Sequence, residues 1–133
     1  MPLLELQLII KKSDLPGAGK GLFTLRPIKK GERIVEYKGR LCLWREVKHE
    51  DATNHYLMRV SRTHAIDARR TLSALGRYAN DAMGISRVPG LRNNAEYISD
   101  GNRCFIEATR SIPAGAEILV GYGREFWKIH GRK

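Results

Sequence analysis

The chain has 133 residues, of which 42% are hydrophobic, and its 24 Lys and Arg outnumber 14 Asp and Glu to give a formal charge of +10. That length holds one domain with a real core and no second one, and no apolar run approaches the ~20 residues of a membrane span. The excess of cations suits a polyanionic neighbour such as nucleic acid; because they are spread along the chain, a solvated basic surface is the plainer alternative.

The opening MPLLELQLIIKK carries Glu5 and lacks both a basic start and a cleavage site, so it reads as a first strand over 4–11 and not as a leader peptide. DLPGAGKG (14–21) is a glycine-rich loop, followed by a strand at 22–25. The loop is no Walker motif, having no Gly-Lys-Ser/Thr ending, and no βαβ unit follows to make it a dinucleotide fingerprint. A strand is expected at 33–37, a short helix at 45–50, paired strands at 56–60 and 65–67, and a helix over 71–79 that Gly76 weakens. Residues 84–94 read as loop. Strands at 97–99 and 103–108 form a hairpin across Asp100-Gly101-Asn102. A strand at 117–120 and a helical turn at 124–130, carrying Phe126 and Trp127, complete a mainly β chain of several small sheets. Cys42 and Cys104 stand alone, which suggests reduced core thiols, no zinc cluster and no metal site, and a nuclear or cytoplasmic compartment, not a secreted protein.

One phrase occurs twice. RPIKKGERIVEYKG (26–39) and RSIPAGAEILVGYG (110–123) share Arg, Ile, Gly, Ile and Gly at matching places, and each has a tyrosine within two residues of its last glycine. Two strands that end this way can bring Tyr37 and Tyr122 to one site, or the repeat can simply pack a β core. A further constellation, Gly76-Arg77-Tyr78-Ala79-Asn80-Asp81-Ala82, leads an aromatic into paired Asn and Asp, which can also act as caps.

In their order GAGKGLF (17–23), IKKGERIVEYKG (28–39), HYLMRV (55–60) with AIDA (65–68), GRYANDA (76–82) and IPAGAEILVGYG (112–123) make the chain resemble a SET-domain protein lysine methyltransferase from about residue 12 to 127. The resemblance implies a single SET domain over 1–133, built as a β-clip of small curled sheets with a C-terminal pseudoknot near Asn80. It implies methyl transfer from S-adenosylmethionine to a lysine Nε of a protein, with S-adenosylhomocysteine as product. Ala18, Gly19, Lys20 and Gly21 would hold the methionine end of the cofactor, and Asn80 and the Asp81 backbone its adenine and amino groups. Tyr122 matches the catalytic tyrosine, Tyr37 and Tyr97 join it as walls of the lysine channel, and Trp127 or Phe126 covers the adenine. The implied substrate is a histone or another chromatin protein, with non-specific DNA contact through the basic surface, no membrane association and no stated oligomeric state.

Three departures qualify that match. Asp81-Ala82 replaces the His-Ser common in the family, the cysteine-rich flanking segments are missing, and Val120 stands two before Tyr122 where an aromatic is frequent. Tyr97 is expected to supply the missing hydroxyl and to limit the product to mono- or dimethyl-lysine. Because a basic surface repels basic tails, an acidic groove drawn from Glu36, Asp67 or Glu107 is expected to offset it. Two other readings stay open: a SET-like binding module without turnover, motivated by Asp81, and a basic nucleic-acid binder, motivated by the charge.

Overall fold

A computed structural model describes residues 3–50, 53–54, 56–82 and 88–121. Among the described residues, nine short strands form three sheets. β1 (Leu8–Lys12) and β2 (Lys20–Thr24) pair antiparallel around the glycine-rich loop, from Leu8 opposite Thr24 to Lys12 opposite Lys20. The segment before β1 is a 3-10 turn at Glu5–Gln7, so the expected first strand starts four residues late.

β3 (Arg33–Glu36), β4 (Arg40–Leu43), β5 (Leu57–Arg59) and β6 (His64–Asp67) follow, with the short helix α1 (Trp44–Val47) after β4. β6 is the centre of a three-stranded antiparallel sheet, between β4 and β5. β4 was not anticipated, since four residues without clear alternation give no period to read.

β7 (Ala95–Asp100) and β8 (Arg103–Ala108) form the expected hairpin, with Asp100 opposite Arg103. The turn is Gly101-Asn102, and Gly101 supplies the positive φ of 64° that tightens it. β3 joins the outer edge of β8, and β9 (Val120–Gly121) runs parallel beside β7, which completes a four-stranded sheet.

The helix expected over 71–79 is instead turns and a 3-10 segment at Leu75–Tyr78. Gly76 presses on the backbone of β3: a Cβ there would lie 3.1 Å from the Glu36 carbonyl oxygen and 3.3 Å from Tyr37 Cα. The close approach of two backbones, absent from local propensity, decides that segment.

The repeated phrase is a structural repeat. Glu32 N–H donates to Lys29 O and Ala116 N–H to Pro113 O, so each copy makes the same four-residue turn. Gly31 and Gly115 hold φ of 89° and 84° in those turns. Ile28 and Ile112 then pair with each other across two 2.8 Å hydrogen bonds. With Ile34, Ile106 and Ile118, all at 0% exposure, they form the middle of the main core.

Residues 116–121 lie at the centre of the molecule. Thr24 N–H donates to Ala116 O and Ile118 N–H to Leu22 O, while Glu117 bridges Phe23. Leu119 O accepts from Asn94 and Ala95, Leu119 pairs in parallel with Asn80, and Val120 N–H donates to Asn80 O at 2.8 Å. One extended segment thus stitches together β2, the Asn80 stretch and the start of β7.

Candidate functional site

A cavity of about 390 Å³ opens where these pieces meet. Ala18, Gly19 and Lys20 form one wall, Tyr37, Tyr97, Tyr56 and Met58 another, and Arg77, Tyr78, Ala79 and Asn80 the third. Five sequence segments up to 79 residues apart, from 18 to 97, supply it. Gly17 and Gly19 take φ of 75° and 73°, which lets the loop turn back so that Ser13 N–H bonds Gly19 O at 2.8 Å.

The aromatic wall is built from β3 and β7. The Tyr37 and Tyr97 rings meet edge to face, 5.7 Å apart at 89°, a favourable geometry that fixes both rings. Tyr37 is only 3% exposed, and its hydroxyl donates to the Tyr56 carbonyl at 2.7 Å. That carbonyl also accepts from Ala68 N–H, so the phenol ties β3 to the entry of β5.

Arg77, although it lies inside the GRYANDA motif, is with Tyr56 a lining residue that sequence reasoning missed. Its guanidinium sits 4.1 Å over the Tyr56 ring and 5.2 Å from that of Tyr78. Its two terminal nitrogens donate to Tyr78 Oη (3.4 Å) and Arg69 O (3.3 Å). Its Nε is buried and has no acceptor among the described residues. A cation on the cavity wall suits an anionic ligand group.

Asn80 lines the cavity and donates to Lys20 O at 3.0 Å, which joins the glycine loop to the third wall. Gly21 and Asp81, the next residues in their motifs, do not line it. Gly21 faces Glu117, and Asp81 accepts from Asn93 Nδ2 at 2.8 Å while Asn93 Oδ1 caps Ala82 N–H. Tyr122, Phe126 and Trp127 lie outside the described residues.

The carboxylates expected to make an acidic groove are committed elsewhere. Glu36 takes two hydrogen bonds from Arg103 (2.9 and 3.1 Å), which hold its carboxyl below the usual range. Glu107 pairs with Arg33 at 3.8 Å, and the buried Asp67 accepts from Asn54 and Arg69 N–H. Cys42 and Cys104 are free and buried, and burial pushes the Cys104 thiol up to about 12. No group of three metal-ligating side chains occurs among the described residues.

These features define a mainly β protein with a glycine-loop pocket walled by tyrosines. Residues 19–123 match the SET domain model, and the chain belongs to that family. N-lysine methyltransferase KMT5A of Xenopus tropicalis is 29% identical over 124 residues, which cover 86% of this chain and 36% of that protein. Histone-lysine N-methyltransferase EZH2 of Chaetomium thermophilum is 28% identical over 129 residues, covering 89% of this chain and 8% of its own. The chain thus spans about a third of the KMT5A relative. The methyltransferase domain of human PR domain-containing protein 2 has the same fold, with a TM-score of 0.68 at 22% identity over 88% of this chain and 77% of that one.

Proposed function

We propose that the protein is an S-adenosylmethionine-dependent methyltransferase acting on a lysine Nε of a protein, with a histone or another chromatin protein as substrate and the nucleus as its place of action. Family membership supports the reaction class, and the names of the KMT5A and EZH2 relatives support the substrate class. The observation that carries the reading is the single cavity into which the glycine loop, Tyr37, Tyr97 and Asn80 all open.

The residues present fit the cofactor. The cavity has the size of a small-molecule site, its loop wall offers backbone groups, and the Arg77 guanidinium on its wall suits a carboxylate such as that of a methionine. When bound, the cofactor supplies a methyl group already activated on a sulfonium. The chain has then to align and dry the acceptor amine. The Tyr37–Tyr97 corner, held by the Tyr37–Tyr56 bond, is a rigid apolar guide for an alkyl chain. A lysine amine, normally protonated below pH ~10.4, must lose its proton before it attacks. An aromatic wall next to the positive charges of Lys20 and Arg77 disfavours the ammonium and promotes that loss. In this reading Tyr122 is the catalytic tyrosine and Trp127 covers the cofactor, while Ala18, Gly19, Lys20 and Asn80 hold it. Gly21 and Asp81 support the wall from behind.

The test is methyl transfer from labelled S-adenosylmethionine to core histones, nucleosomes and a general lysate, with Tyr122→Phe and Arg77→Met alongside, plus calorimetry with S-adenosylhomocysteine. Label on a lysine that is lost in Tyr122→Phe, together with weakened product binding in Arg77→Met, is the expected result. Cofactor binding without transfer would favour the binding-module reading. Steeply salt-dependent DNA binding with no cofactor affinity would favour the nucleic-acid reading.

A further inference from the structure

Glu117 carries a buried carboxylate for which methyl transfer has no chemical use. It is 4% exposed, and among the described residues no Lys, Arg or His pairs with it. A carboxylate held without a counter-cation must be satisfied by donors. Those donors come from both ends of the glycine loop. Ser13 Oγ donates to Oε2 at 2.7 Å and Asp14 N–H to Oε1 at 2.9 Å, where the loop begins. Asn80 Nδ2 approaches Oε2 at 3.4 Å while it also bonds Lys20 O, where the loop ends.

The same carboxylate explains Gly21. A Cβ at that position would overlap Glu117 Oε2 and come within 3.1 Å of Ser13 Cβ. Gly21 leaves open the space that the carboxylate fills. Ser13 Oγ then accepts from Leu15 N–H at 3.0 Å, which extends the network into the loop itself.

We propose that Glu117 is the positioning residue of the cofactor pocket. It fixes the glycine loop and Asn80 at their mutual distance, so affinity for the cofactor depends on it while the transfer step does not. This rests on the methyltransferase reading above. Glu117→Gln tests it, because an amide in that place presents N–H to Asp14 N–H or to the Asn80 amide, whichever way it is turned, and one donor loses its acceptor.

Binding of S-adenosylhomocysteine is measured by calorimetry, together with thermal unfolding of the free protein and kcat at saturating cofactor. Glu117→Gln is expected to weaken binding by about 10- to 100-fold, with kcat changed by less than about 3-fold. Ser13→Ala, which removes one donor and keeps the carboxylate, is expected to weaken it by roughly 3- to 10-fold and decides the matter if Glu117→Gln does not fold. Ile106→Val, a core variant far from the loop in sequence, serves as the stability control and should leave binding unchanged.

Binding equal to the parent in the loop variants, or weakened equally in Ile106→Val, would overturn the proposal and leave Glu117 a stability residue. Failure of the parent itself to bind S-adenosylhomocysteine would instead overturn the methyltransferase reading.

Discussion

Gly39 links β3 to β4, and replacing it with alanine tests how the tyrosine wall is fixed. The added Cβ would lie 2.5 Å from Asp67 O, 2.6 Å from Asp67 C and 2.8 Å from Ala68 N. All three are backbone atoms at the end of β6, so no flexible side chain can yield. Relief requires a shift of about 1 Å between β4 and β6, where Arg40 pairs with Asp67. Overpacking of this kind costs typically 1–3 kcal/mol, and a backbone obstacle puts the value near about 3 kcal/mol. For a chain of this size that lowers the melting temperature by roughly 9–15 °C.

Gly31→Ala is the comparison. Gly31 sits at φ 89° with nothing within 4 Å of a Cβ, so alanine there meets only backbone strain, about 1 kcal/mol or roughly 3–5 °C. Gly39 is not among the positive-φ glycines, so its cost is steric alone. Thermal unfolding by circular dichroism reads both. A Gly39→Ala melting point within about 2 °C of the parent, or below Gly31→Ala in cost, would refute the reasoning.

The remaining predictions concern the thiols, an ion pair and the product. With burial raising both thiols, Cys104 to about 12, the folded protein should resist a thiol reagent at pH 8 and react at both cysteines only in denaturant; fast native labelling would contradict this. Arg103→Gln removes the main cause of the lowered Glu36 pKa, the Arg103 hydrogen bonds. A depressed carboxylate stabilises above its unfolded value of about 4.3 and loses that contribution as the pH falls through its native value. The stability gap between parent and variant in urea titrations should therefore be full at pH 7 and close at acid pH, and a gap unchanged at pH 3 would count against it. Tyr97→Phe should shift the product towards higher methylation, read by mass spectrometry of the modified peptide; an unaltered distribution removes Tyr97 as the limit.

What the sequence disclosed follows the range of the interactions involved. The 95–108 hairpin was legible because its alternation and its turn are both local. The 71–79 helix was misread because Gly76 answers to β3, some 40 residues earlier. Tyr37, Tyr97, Asn80 and the 18–20 loop were legible as motifs, and they do share a cavity. Arg77 and Tyr56 were not singled out, since their stacking depends on β5 meeting the 3-10 segment, which no spacing encodes. Neighbouring motif positions also divide their work: Asn80 opens to the cavity while Asp81 turns to Asn93.

The central position of residues 116–121 bears on the order in which the protein assembles. Their partners at 22–24, at 80 and at 94–95 are made earlier in synthesis and must wait with open hydrogen-bonding groups. Such long-range closure is slow compared with the local hairpins. Glu117, which holds both loop and Asn80, arrives with the same segment. The pocket is therefore a late product of folding: a nascent chain has no assembled site to offer a ligand until residues 116–121 have been inserted.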